Sequence, residues 1–244
     1  MDALRILITN HRLKDRTGSE LYVRDLALGL LRRGHSPVVY SPILGDVAAE
    51  IRDATVPVVD SLSNVSVKPD LIHGHHHVET MTALLHFPDT PAVFFCHGWL
   101  PWEETPPHFP RILRYVAVDD TCYDRLVCEH GIKDERVQVI LNFVDLKRFV
   151  PREALPSKPR RALVFSNNAS ESSYVIPVRE ACRRAGVSLD VVGSQAGRTA
   201  ERPEKLLGQY DIVFAKARCA LEALAVGTSV VLCDRAGMGP MVTT

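Results

Sequence analysis

His97 and Gly98 directly follow an apolar run, residues 92–96, that reads as a buried strand. In doubly wound sheets ligands bind beyond the carboxyl ends of strands, so position alone makes His97 a candidate catalytic residue. The loop behind it, residues 99–110, carries Trp99, Trp102, His108 and four prolines. Such a stiff aromatic loop could stack a sugar or a lipid, which makes Trp99 and Trp102 acceptor-side candidates, or it could be a local packing plug. Residues 211–227 hold a second constellation: a strand, a tight turn with Lys216 and Arg218, and a helix carrying Glu222. Cations at a helix start suit a diphosphate, and a carboxylate one turn further in could hold ribose hydroxyls. The competing account is an Arg218–Glu222 pair at i,i+4, worth only ~0.2–0.5 kcal/mol. Leu221 and Leu224 already supply the apolar face of that helix, so Glu222 is not needed for it.

Three further stretches could carry chemistry. Gly18, with Ser19 beside it, could let backbone amides approach an anion at a helix N-terminus. Thr17-Gly-Ser-Glu20 equally matches a capping box, with Thr17 satisfying the amide of Glu20 and Glu20 reaching back. His73-Gly-His-His-His77 invites a zinc reading. Adjacent strand residues point to opposite faces, however, and no Cys or carboxylate cluster stands at ligand spacing, so no metal is expected. His75 is kept instead as a residue of the acceptor side. Asn167 and Gly193 each follow a strand of the second half and complete the donor-side candidates, although residues 193–197 lack the full dinucleotide glycine pattern. Asp119 and Asp120 read as helix caps. There is no GxSxG elbow, P-loop or HExxH.

The elements that must position these residues are short apolar strands alternating with amphipathic helices, the pattern of a parallel sheet covered on both faces. Strands are predicted at residues 4–9, 37–40, 56–59, 70–73, 92–96, 115–118 and 137–141. Helices are predicted from Thr17 to Gly34 and at 79–86 and 121–130. Pro151, Pro156 and Pro159 then interrupt a basic stretch that can continue neither a helix nor a central strand. The pattern restarts with strands at 162–166, 189–193, 211–214 and 229–233 and helices near 174–185, 202–207 and 218–226. The organisation expected is therefore a domain over 1–150, a linker over 151–160 and a second domain over 161–244. That second domain ends in a loop after its fourth strand, leaving an exposed sheet edge.

At 244 residues, with 46% hydrophobic and 24% charged residues, the chain is long enough for two ordinary globular cores. Twenty-nine basic and 29 acidic residues cancel, which argues against a nucleic-acid partner. Six cysteines without CxxC spacing suit a reducing cytoplasm, and neither a signal peptide nor a membrane span is expected.

Taken in order, four stretches resemble the GT-B glycosyltransferases, in particular the family-4-like group that uses nucleotide sugars. Residues 17–30 look like the family's glycine turn and first helix, and Cys96-His97-Gly98 like its fifth-strand histidine. Residues 139–149 are similar to its Asn-Gly-Val-Asp segment, and residues 221–231 to its Glu-Ala-x-Ala-x-Gly-x-Pro-Val-Val segment. The resemblance implies two Rossmann-like domains, the acceptor mainly on the first and the sugar nucleotide mainly on the second. It implies no metal or other cofactor. Carried over, Gly18 faces the donor diphosphate, His97 the transferred sugar and Glu222 the donor ribose. Two departures stand out. Phe214 occupies the place of the family's sugar-contacting Glu, and residues 166–171 hold none of its diphosphate-gripping cations, a role that falls to Lys216 and Arg218. The family also continues beyond residue 244, so a shortened or degenerate second domain is expected. The functions implied are glycosyl transfer to an unknown small-molecule, glycan or lipid acceptor, non-catalytic sugar-nucleotide binding, or sugar-nucleotide epimerisation.

Overall fold

The computed structural model describes residues 2–170 and 172–243; Glu171, at the end of the segment that lacks the family's cations, lies outside them. The chain divides into two units, Met1–Asn142 and Phe143–Thr244. The division falls ahead of residue 150 because Val144 and Phe149 already pack into the second core. Arg148 is also tied to Glu204 by hydrogen bonds of 2.8 and 3.1 Å.

The first unit runs β1 (Arg5–Thr9), β2 (Arg12–Leu13), α1 (Gly18–Arg32), β3 (Ser36–Tyr40), β4 (Ile43–Leu44), α2 (Asp46–Asp53) and β5 (Val58–Val59). It continues with β6 (Leu71–His75), α3 (His77–His86), β7 (Ala92–Cys96), β8 (Ile112–Ala117), α4 (Asp120–Asp124) and β9 (Val137–Val139). Seven of the strands form a parallel sheet in the order β5-β3-β1-β6-β7-β8-β9, and β2 pairs with β4 in a separate ribbon. The sheet is covered on both faces because successive strand residues alternate. Leu7 of β1 joins Ile72, Phe94 and Tyr115 in one core, while Ile6 and Ile8 join Val23, Val39 and Ile51 in the other.

The second unit runs β10 (Arg161–Phe165), α5 (Val175–Ala185), β11 (Ser188–Val192), α6 (Pro203–Leu206), β12 (Ile212–Ala215), α7 (Ala217–Val226), β13 (Ser229–Asp234) and β14 (Gly237–Met241). Its sheet order is β11-β10-β12-β13-β14. The residues expected to form a terminal loop are a strand: β14 lies antiparallel on β13 and covers the edge expected to be open. Two glycines and a proline hide this segment from any strand propensity, yet an edge strand tolerates them.

Three other expectations change. Helix α2 was not anticipated. The helix expected over 121–130 is α4 followed by a π-helical turn at Arg125–Glu129. The capping box does not form: Thr17 has the extended backbone of an N-cap, but its side chain makes no cap bond. Glu20 is fully buried instead. Asp119 does cap α4, accepting the Cys122 amide at 2.7 Å. Among the described residues no helix is long and apolar enough to cross a membrane.

Candidate functional site

Strand periodicity builds the centre of the first unit. His73 and His75, two apart on β6, share a face, and Gly74 between them faces Thr80 of α3, whose side chain a Cβ would meet at 2.6 Å. His97 follows β7, the neighbour of β6. The three imidazoles form a row. His73 Nδ1 lies 3.0 Å from His75 Nε2, and His75 Nδ1 lies 2.7 Å from His97 Nε2. Phe95 stacks on His73, and Tyr22 of α1 meets His97 edge-on at 4.6 Å between ring centroids. Burial pushes His73 down to about 3 and His97 to about 4, and His75 falls well below the usual histidine range. All three are therefore neutral at physiological pH.

His75 was expected on the acceptor side. It is instead fully buried, with both ring nitrogens engaged by the other two histidines, so it backs the site rather than lining it. His97 is half-buried, and its backbone N–H donates to Glu104 Oε2 at 2.8 Å.

A cavity of about 210 Å³ has His11, Arg12, Thr17, Ser19, His76 and Glu104 in its wall and is linked to this row through Glu104, which accepts the His97 amide. Its residues come from the carboxyl ends of β1 and β6, from the start of α1 and from the loop after β7. His76 bridges them: its Nδ1 accepts the His11 amide at 2.9 Å, and its Nε2 lies 3.4 Å from Glu104 Oε1. It does so with φ of +63°, a left-handed conformation that a non-glycine residue adopts only under tertiary constraint. Burial opposes the charge of Glu104, but the contacts with His76 and the His97 amide hold its carboxyl below the usual carboxylate range. The His11 ring is held in turn, its Nδ1 lying 3.0 Å from the buried Glu79. Sequence reasoning missed His11, Glu79 and Glu104, and reached His76 only as one of the histidines of residues 73–77. His11, two residues past β1, and His76, directly after β6, carried a positional signal.

Trp99 and Trp102 are exposed, as an acceptor platform requires, and Trp99 Nε1 donates to Glu129 at 3.1 Å. Their loop is fastened from below by the buried Arg125, which donates to the carbonyls of Gly98 (2.6 Å) and Pro101 (2.9 Å). Gly18 opens α1 in free space, with no atom within 4 Å of where a Cβ would stand.

In the second unit the donor candidates have partners of their own. Arg218 Nε donates to Glu222 Oε1 at 2.8 Å, with Glu222 buried and Arg218 partly so, and the i,i+4 pair weighed as the alternative is present. Lys216, by contrast, is exposed and reaches Asp234 at 2.5 Å. Asn167 accepts the Ser194 amide at 3.4 Å and thereby joins the loops after β10 and β11. Gly193 stands where those loops touch. Phe214 is buried at the end of β12, within the core under α5.

Two Rossmann-like α/β units with their candidate residues at strand ends are the fold class of the GT-B glycosyltransferases. The glycosyltransferase family 4 model matches residues 16–148, more than half of the chain, and the chain belongs to that family. No curated protein matches it in sequence. Among solved structures it is similar to a glycosyltransferase from Rickettsia africae, at 15% identity and a TM-score of 0.67, covering 94% of this chain and 79% of that one. It is also similar to HepE of Anabaena, whose structure holds UDP and glucose, at 16% identity and a TM-score of 0.60, covering 93% and 80%. A putative UDP-N-acetylglucosamine 2-epimerase from Listeria monocytogenes aligns at 12% identity with a TM-score of 0.53, covering 94% and 78%. At these identities the likeness is one of fold.

Proposed function

We propose that the chain transfers a sugar from a nucleoside-diphosphate sugar to a hydroxyl acceptor in the cytoplasm, without a metal ion. One observation carries the reading: the uncapped start of α1 and the strand-end His97 belong to one unit and are joined through Tyr22. Neither a positive φ nor a close neighbour demands glycine at position 18, so the open space there suits a ligand approaching the helix amides. As the glycosidic bond breaks, charge grows on the leaving diphosphate, and helix amides and a cation stabilise it. His97 is the group for the transferred sugar, and Trp99 and Trp102 form the platform for a small-molecule, glycan or lipid acceptor. The six free cysteines fit a reducing compartment.

HepE was solved with UDP and glucose, so UDP is the first nucleotide to try. In a thermal-shift screen, one nucleoside diphosphate and its sugars are expected to raise the melting temperature, and that diphosphate to be released from its sugar when an acceptor is supplied. If no nucleotide stabilises the chain, the reading fails. Binding without turnover supports the second reading, a non-catalytic sugar-nucleotide binder. The observation favouring that one is the burial of Phe214, where a sugar-contacting carboxylate stands in the family.

Within the donor site the two cations differ. The Lys216–Asp234 pair is solvent-exposed and worth under about 1 kcal/mol, so a diphosphate can exchange for Asp234. Arg218 is partly buried and held by Glu222. Lys216→Ala is therefore expected to weaken UDP binding about tenfold by calorimetry, the loss of one charge-assisted hydrogen bond. An unchanged Kd removes Lys216 from the site.

A further inference from the structure

The His73, His75 and His97 row is coupled by more than packing. Its rings are nearly parallel, at 23° and 17°, with centroids 4.8 and 4.9 Å apart, and each neighbouring pair shares one nitrogen–nitrogen hydrogen bond. Two ring nitrogens bond only if one carries a hydrogen and the other does not, and a neutral imidazole carries a single N–H. Since all three rings are neutral, a donor at Nδ1 of one ring forces an acceptor at its Nε2, and the condition passes along the row. Only two arrangements satisfy both contacts: every ring protonated at Nδ1, or every ring protonated at Nε2.

Charge at the front of the row selects between them. The carboxylate of Glu104 sits against the backbone N–H of His97, and Nδ1 is the ring nitrogen nearer the backbone. We assign the proton to Nδ1 of His97, the ring nitrogen nearer the backbone amide that this buried negative charge accepts. At the back, His75 is the only side chain that hydrogen-bonds the His73 ring among the described residues. His97 Nδ1 has no protein partner among them and is the end of the row left for a ligand.

We infer that His73 and His75 are positioning residues that lock His97 in its Nδ1–H form, making it a hydrogen-bond donor to the site. That the oxygen it meets belongs to the transferred sugar rests on the function proposed above. A row that merely fills space has no preferred tautomer and tolerates rings of the same size. The locked row has a definite proton order that depends on residues too buried to touch substrate.

The test is nitrogen-15 and carbon-13 NMR of the intact chain with labelled histidine, in which protonated and bare ring nitrogens are resolved. The native protein is expected to show His97 in the Nδ1–H form by at least about ten to one. His75→Phe keeps the stacking but removes both contacts, and should bring His97 toward an even mixture. Should that variant fold poorly, His73→Phe cuts the row at its outer end, and Glu104→Gln removes the selecting charge; each should lower the ratio. His97 in the Nε2–H form, or a ratio unmoved by all three changes, overturns the inference. Titration with UDP and UDP-glucose separates the two claims. Loss of order in the variants, with no ligand-induced shift at His97, leaves the lock standing and removes its sugar-facing role.

Discussion

Replacing Gly193 by alanine is expected to unfold the second unit under conditions where the first stays folded. The glycine has an extended backbone, so its conformational freedom is not at issue. The constraint is approach. A Cβ at this position would stand 1.8 Å from the carbonyl oxygen of Ser166 and 2.6 Å from its carbon, and both are backbone atoms that no rotamer change can move. The two loops are held together on both sides of the contact. The Ser166 amide bonds to Val192 at 3.0 Å, and the Gln195 amide to Asn167 at 3.1 Å. Relief therefore requires parting β10 from β11. The cost expected is above about 3 kcal/mol, toward the upper end for overpacking, a large share of the stability of a domain this size. Denaturant unfolding followed through signals of each unit should show one transition collapse and the other persist. Gly193 was singled out as a donor-site residue. If the alanine variant melts normally but no longer binds a nucleotide diphosphate, ligand approach rather than loop packing accounts for the glycine.

The same residue illustrates what could be learned before the structure. β1, β7, β10, β12 and β13 were legible because buried parallel strands are short continuous apolar runs. β6 was legible only to His73, because histidine does not advertise a buried strand. It runs to His75 since neutral imidazoles satisfy one another. β14 was invisible because its strand character comes from pairing with β13, not from its own residues. In the site, position after a strand pointed to His97 and Gly193. The partners that define their chemistry did not show, because they come from distant segments: Glu104 from a loop, His75 from a neighbouring strand, Ser166 from another strand end. The Arg218–Glu222 pair was readable because helical spacing is local. The burial of Glu20 was not, since nothing local distinguishes a capping carboxylate from one folded under a helix.

That carboxylate should make the first unit lose stability as the pH rises toward 8, and Glu20→Gln should abolish the loss. Glu20 is fully buried in the first turn of α1, and neither oxygen makes a hydrogen bond of good geometry among the described residues. Burial pushes its carboxyl up to about 7, with the charge of Asp15 adding to the shift, and the amides of Thr17 and Asp15 and the Arg12 guanidinium recover only part of it. Between the unfolded carboxyl value, near 4.3, and about 7, the native state holds a proton that the unfolded state has released. Stability therefore falls by about 1.4 kcal/mol per pH unit across that window and levels off above it. Glutamine has the same shape and no charge to bury. Its advantage over the native residue should widen by roughly 2–3 kcal/mol between pH 5 and pH 8, read from denaturation midpoints, and parallel curves would dismiss the account. The consequence for binding has a fixed sign. A protonated Glu20 leaves the start of α1 free of negative charge, whereas an ionised one competes with any anion drawn to those amides. A diphosphate at Gly18 should thus raise the Glu20 pKa, and by linkage its affinity should weaken above pH 7 in the native chain but not in Glu20→Gln.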